Sequence, residues 1–188
     1  RLGLRWKIGR DRPDLLERPQ AVITAEYAQL MARYNGWQNG WMFAAVGGLD
    51  DAAREADRGL FWGSIRATLS HLMWGDMMWM SRFDGGAKPQ GGIPESHALH
   101  PTFASWSADR FRLDRRITHW AERLNTIALK GELTWFSGAL GRDMTKKKEL
   151  CVLHMFNHQT HHRGQIHAMM TAAGLSAPVS DLAFMPEP

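Results

Sequence analysis

Apolar positions along this 188-residue chain recur at steps of three and four in four separate stretches, and no sustained alternation of period two competes with them. The first stretch, AEYAQLMARYNGWQNGWMFAAV, predicts a helix over 24–47. Thr24 stands where a capping hydroxyl is needed, Glu26 falls in the first turn, and Gly47-Gly48 ends the segment. Its apolar face reads as Leu30, Tyr34, Trp37, Trp41, Ala44 and Ala45. A second helix is predicted over 61–83, buried through Phe61, Ile65, Leu69, Leu72, Trp79 and Phe83. His71 lies on the flank of that arc with Gly75 and Met78. The third, over 102–130, carries Phe103, Trp106, Phe111, Leu113, Ile117, Trp120 and Leu124. The fourth, over 148–173, stops at Gly174 and repeats Cys151, Met155, His158, His162, Ile166, Met169 and Ala173 on its inward stripe.

The segments between are of a different kind. LDDAAREADRG reads as a polar connector. The stretch from FDGGAKPQGG to the third helix holds Pro89, Pro94 and Pro101, too punctuated for one continuous helix. GELTWFSGALGRDMTKK is a short extended or turn-rich link, a weak hairpin. The pattern is therefore that of an all-α four-helix bundle with a long crossover between helices two and three. SAPVSDLAFMPEP is expected to be a nonhelical tail, packed partly on the bundle through Leu182, Phe184 and Met185.

Length supports one well-filled core. The chain divides into a basic N-terminal extension over 1–23 and one bundle domain with its tail over 24–188. The formal charge of +4 changes little, because residues 1–20 alone hold six basic and three acidic side chains. The remainder is nearly balanced, and Lys146, Lys147 and Lys148 read as a solvated helix start. No nucleic-acid partner is expected, since zinc-finger spacing and a glycine-rich phosphate loop are both absent. No segment approaches a membrane span or shows a secretory leader, so the expected compartment is the cytoplasm. Cys151, the single cysteine, excludes an intrachain disulfide framework and any multi-cysteine metal site, and reads as a buried thiol.

The candidate chemistry lies in the histidines. His158 and His162 are one turn apart inside an apolar stripe, so each must recover its lost hydration through hydrogen bonds or a metal. An i,i+4 pair can aim two ring nitrogens at one ion, and His71 is placed to close a third side from the second helix. Three neutral nitrogens suit zinc, nickel, cobalt or iron and leave positions for water or substrate. HxxxH spacing alone is common, and the motif has no built-in glutamate base, because Gln159, Thr160 and His161 fill the gap. Satisfied or partly exposed histidines are the other reading. His154 is the main competing ligand. His161 and His167 read as rim residues, His97 and His100 as neighbours of the site mouth, and His119 as a surface residue. Trp74, Gly75, Asp76, Met78, Asn157 and Gln165 are candidates for a pocket wall or for orienting the imidazoles. Asp76 is expected to be satisfied structurally by Asn35, Asn39, Tyr34 or an arginine. Most of the nine tryptophans read as core.

Three segments, YNGWQN, LSHLMWGDMMWMSRF and NHQTHHRGQIHAMM, occur in order on separate predicted helices. Together they resemble the DinB-like damage-inducible family of the DinB/YfiT-like superfamily, small metal-binding bundles distinct from the similarly named DNA polymerase. The resemblance covers roughly 24–188. It implies that one histidine of helix two joins two of helix four around a divalent transition metal, which carries over to His71, His158 and His162. Zinc or nickel is the expected ion, and pairing of relatives through helical surfaces implies a homodimer. Some members of the wider superfamily are thiol-dependent transferases or isomerases. A low-molecular-weight thiol and a small-molecule ligand are therefore expected, with thiol transfer or hydrolysis as the reaction. The alternative is a noncatalytic stress-response or protein-interaction bundle. No catalytic acid or base is identified.

Overall fold

The computed structural model describes residues 22–177 and 179–187. Of the expected basic extension only Val22 and Ile23 are described; the rest lies outside the described residues. Val22 donates its backbone N–H to Glu149 at 2.9 Å, and Ile23 is already part of the core.

Four long helices make the bundle: α1 (Ala25–Gly47), α3 (Ile65–Asp84), α4 (Phe103–Glu122) and α5 (Lys148–Ala172). A one-turn helix, α2 (Asp51–Glu55), interrupts the connector that reads as merely polar. A hydroxyl or carboxylate starts each of the first four: Thr24, Asp50, Ser64 and Thr102 accept from backbone N–H groups three residues on. α5 has no such cap. It runs straight out of a hairpin, β1 (Glu132–Ser137) paired antiparallel with β2 (Arg142–Lys147), and Lys148 donates back to the Gly131 carbonyl at 3.0 Å. At its other end Gly174, with φ of 69°, allows the reversal in which Leu175 N–H bonds the Met170 carbonyl. No described helix is long and apolar enough to cross a membrane.

Two helix boundaries differ from the expected ones, each for a local reason. The second long helix starts at Ile65 rather than 61, because Gly63 takes φ of 76° and Ser64 supplies the cap. Phe61 is consequently off the helix and 64% exposed. The third ends at Glu122 rather than 130, because Asn125 accepts from the N–H groups of Ile127 and Ala128 and turns the chain. Phe111, expected inside, is 66% exposed.

The inward face of α1 is also shifted from the expected one, although Tyr34 is buried as expected. Leu30 and Ala44 are exposed, whereas Ala28, Ala32, Asn35, Asn39, Met42 and Val46 are buried. Those six repeat at strict steps of four and three, so the helix was periodic as expected but phased by small and polar residues. Trp37 and Trp41 lie on the flanks, half-buried. Of the three residues expected to pack the C-terminal tail, Leu182 and Phe184 are exposed and Met185 is half-buried. Tyr34 instead donates its hydroxyl to the Ser180 carbonyl and holds the tail there.

α1 packs most extensively on α4, and α3 on α5. α3 is buried nearly all round from Ala67 to Asp76, being covered by α4, α5 and the long connection. That connection is strapped down along its length. Arg66 donates to the carbonyls of His97 and His100, Ser70 to that of His100, and Trp74 to those of Gln90 and Gly91. At the hairpin end, Trp79 meets Trp135 edge-on at 5.4 Å, and the Arg82 guanidinium lies over both rings.

A polar cluster fills the middle of the bundle and draws on all four long helices. Arg110 donates to Asp76 at 2.6 Å and lies 2.6 Å from Asp114. Gln159 donates to the other Asp76 oxygen at 3.0 Å. Asn35 and Asn39 donate to Asp114, and Arg163 donates to Asn35. Burial alone would lower the Arg110 pKa, but the carboxylates of Asp114 and Asp76 outweigh it and hold the guanidinium charged. Asp76 thus finds its expected arginine partner, and that partner is Arg110.

Candidate metal centre

His71 reaches the centre from α3, and His158 and His162 reach it from successive turns of α5. One ring nitrogen from each lies within 4.8 Å of those of the other two. No aspartate, glutamate or cysteine joins this cluster among the described residues. The rings of His71 and His162 meet edge-on with centroids 4.6 Å apart, and those of His158 and His162 at 4.4 Å. Gly75 makes room for this arrangement: a Cβ at that position would lie 2.6 Å from Cε1 of His158. Any larger residue there would push the imidazole out of place.

Hydrogen bonds decide which nitrogens face inward. Ser96 Oγ donates to the Ile93 carbonyl at 2.6 Å, so it must accept from Nδ1–H of His71, 2.7 Å away. That leaves Nε2 of His71 with a lone pair. Gln165 Oε1 can only accept, so Nδ1 of His162, 2.7 Å away, donates to it and its Nε2 is likewise unprotonated. Nε2 of His162 faces Nε2 of His158 at 3.1 Å. Two nitrogens bound to one tetrahedral ion at ~2.0–2.1 Å stand roughly 3.3 Å apart, so this spacing needs little adjustment. Nδ1 of His158 is buried with no partner among the described residues.

The electrostatics point the same way. Burial, reinforced by the neighbouring imidazoles, pulls His71 down to a pKa of about 3 and His158 to about 2. Burial takes His162 to about 4, against an opposing pull from Gln165. All three rings are therefore neutral at neutral pH, the protonation state a metal requires of imidazole. The donor set of three imidazoles, with outer nitrogens held by a serine and a glutamine, fits a borderline divalent ion such as zinc or nickel.

The other candidate residues divide. Gln165 bonds His162, and Trp74 lies parallel to His71 at 6.3 Å while its indole N–H ties down the long connection. Asp76 faces the polar cluster instead of the triad. Asn157 is exposed, about 100° around the helix from His158. Met78 is half-buried on α3, about two turns beyond His71. His154 packs edge-on against Trp79 at 5.0 Å and stays outside the ligand cluster. His161 is exposed beside His162 and shares Gln165 with it. His167 stacks on Trp41, and His119 is exposed beside Glu122. His100 is buried and paired with Asp109 at 3.1 Å, while His97 is exposed and stacked on Trp62.

Two contributors escape sequence reasoning. Ser96 comes from the long connection and has no periodic signal. Trp62 precedes α3 and stacks on His71 with centroids 4.3 Å apart, although tryptophans in this chain read first as core. Its place inside the expected second helix, 61–83, was the one available hint.

Fold and site together define an all-α helical-bundle protein with a candidate three-histidine metal centre. The family model described as DinB family matches residues 23–188, and the chain belongs to that family. Among curated proteins none matches it.

Proposed function

We propose that the chain binds one divalent transition metal, zinc or nickel, through His71, His158 and His162. On this reading it acts on a small molecule as a metal-dependent thiol transferase or hydrolase, together with a low-molecular-weight thiol. The observation that carries the proposal is the convergence of imidazole lone pairs whose outward N–H groups are committed to Ser96 and Gln165. Such an ion, when bound, supplies Lewis acidity that favours the deprotonated form of a thiol or water beside it. The chain's own residues supply the rest. Ser96 and Gln165 orient the rings, Gly75 leaves space for His158, and Trp62 and Trp74 both lie near-parallel to His71. The Trp62 indole N–H is buried without a partner among the described residues and is a donor suited to an acceptor atom of a ligand.

One observation favours the noncatalytic alternative of a stress-response or interaction bundle. No carboxylate joins the triad among the described residues, and Asp76 is spent on Arg110 and Gln159. Metal content after controlled loading separates the first step from chance clustering. His71→Ala, His158→Ala and His162→Ala should each lose the ion, while His119→Ala and His154→Ala keep it. Equal content in all five proteins rejects the site. Titrating a cobalt-loaded protein with small thiols should change its visible spectrum, and an unchanged spectrum at saturation rejects the thiol. Thiol binding without metal-dependent turnover across electrophile and hydrolase substrates favours the noncatalytic reading. The proposal also includes a homodimer, which sedimentation across a concentration series tests directly.

A further inference from the structure

Arg82 stands near the end of α3 with its guanidinium carbon 4.5 Å from the centre of the Trp79 ring and 5.2 Å from that of Trp135, which comes from β1. The ring faces attract the cation but offer no acceptor to its N–H groups. In this Arg82 differs from every other buried or half-buried arginine among the described residues. Arg54, Arg58 and Arg66 each donate to backbone carbonyls, Arg110 and Arg116 to aspartates, and Arg163 to Asn35. Arg82 has neither a hydrogen-bonded oxygen nor a carboxylate partner among the described residues, and its nitrogens are not sealed from solvent. Burial lowers its pKa, and the opposing pull comes from the Cys151 thiol rather than from a carboxylate. Lys146 approaches Cys151 as well, so a second positive group borders the same corner.

This corner continues the histidine centre by one turn of each helix. On α3, Trp79 follows Gly75 by one turn; on α5, His154 precedes His158 by one turn, with ring centroids 6.0 Å apart. His154 meets Trp79 edge-on at 5.0 Å, so rings in contact lead from His158 to the guanidinium of Arg82. His154 is exposed, while Trp79, Arg82 and Trp135 are half-buried, and the path therefore follows the surface seam between α3 and α5.

We propose that Arg82, with Trp79, Trp135 and His154 beside it, recognises the carboxylate of the small molecule acted on at the histidine centre. The proposal rests on the reading of that centre as the reaction site. A planar carboxylate matches the guanidinium fork and accepts two of its N–H groups, which the aromatic rings leave unbonded. The body of the molecule then lies along Trp79 and His154 towards His158.

3-Phenylpropanoate and 3-phenylpropanamide are suitable probes, since they share a shape and differ in charge. Titrating the full metal-free chain, followed by NMR, keeps the result independent of the ion. The acid should shift the Arg82 Nε–H signal and the indole N–H signals of Trp79 and Trp135. It should bind about tenfold more tightly than the amide, the lower end of what a hydrogen bond to a charged group contributes, as suits a half-exposed site. Arg82→Gln should abolish that preference, and Arg82→Lys, which keeps the charge and loses the fork, should retain only part of it. Should Arg82→Gln lose the packing of the hairpin, Arg82→Lys with a melting curve like the wild type's decides the matter. No binding of the acid, equal affinity for acid and amide, shifts confined to residues remote from Arg82, or a full preference in Arg82→Lys would each overturn the proposal and leave Arg82 as a clamp on the hairpin. If the preference holds while the histidine variants take up as much metal as the wild type, the carboxylate site stands and the reading of the centre falls. In the reverse case the centre stands and the carboxylate site falls.

Discussion

Gln159 follows His158 in the chain and Arg163 follows His162, yet each pair of neighbours ends in a different kind of site. Successive residues on a helix point about 100° apart, so α5 turns its histidines towards His71 and its Gln159 and Arg163 towards the bundle centre. α3 divides in the same way, with His71 in one cluster and Asp76 in the other. The central cluster is closed in charge by the protein's own groups, since Asp76 and Asp114 face Arg110, and Asn35 faces Arg163, although Asn39 Oδ1, Arg110 Nε and Gln159 Oε1 have no partner among the described residues. The histidine cluster is closed only on its outer side, where Ser96 and Gln165 take the N–H groups. On its inner side the ring nitrogens of His158 and His162 meet only each other, at 3.1 Å, and Nδ1 of His158 has no partner among the described residues. Burial of polar groups is thus common to both. What marks one as a candidate ligand site is that ring nitrogens of three histidines converge within 4.8 Å of one another, with no aspartate, glutamate or cysteine joining them among the described residues.

The largest expected effect comes from breaking the closed cluster. Asp76→Ala removes one partner of a fully buried ion pair and should cost about 3–5 kcal/mol in denaturant unfolding. His158→Leu in the metal-free protein should cost only about 1 kcal/mol, because it removes the single contact with Nε2 of His162 together with a buried nitrogen that already lacks a partner. Similar costs for the two variants would erase the distinction between the clusters.

A second pair of changes acts on the open cluster alone. Ser96→Ala removes the acceptor that holds the His71 tautomer and should weaken metal affinity by about 10–100-fold in chelator competition. Gly75→Ala should weaken it to a comparable degree by displacing His158, although alanine by itself favours the helix by up to about 1 kcal/mol. An unaltered affinity in both would show that ring orientation does not depend on these residues.

The pH dependence of the metal-free protein gives a third test. The triad stays neutral in the folded state down to about pH 4, where His162 titrates first, with His71 at about 3 and His158 at about 2. An unfolded histidine binds its proton near pH 6.5, so the unfolded state gains protons first. The triad's contribution is therefore intact above about pH 6.5 and is lost progressively as the pH falls towards the folded values. Replacing all three histidines with apolar residues should flatten that segment of the stability profile. The smallest effect is expected at the Asp84–Arg116 pair, where two bonds of 2.8 and 2.6 Å join partly exposed groups. Asp84→Asn should cost at most about 1 kcal/mol, as exposed ion pairs do, and this calibrates the far larger cost expected at Asp76.

The four long helices, the long crossover, the hairpin link and the histidine pair one turn apart on the last helix were legible in the chain, and the one-turn α2 was not. Each rests on local information: a period of 3.6, a capping hydroxyl, an i,i+4 pair, a run of prolines. His71 could be joined to His158 and His162 only with the help of a family resemblance, because nothing local ties two helices together. The phase of α1 was misread for a related reason. Large apolar residues dominate any reading of a stripe, whereas close packing against a neighbouring helix put Ala28, Ala32, Asn35 and Asn39 inside. Polar residues at such positions look like surface until the groups that satisfy them are known.

The sequence by itself therefore determined where the helices form and which residues could serve as ligands, since backbone propensity and periodicity act over a few neighbouring residues. Tertiary structure alone decided that Ser96 and Trp62 reach His71, that Arg110 answers Asp76, and that Gly75 opens the space for His158. Those pairings join residues from different elements of the chain. They arise from how the helices rotate and pack, which is set by the shape and chemistry of every facing side chain together.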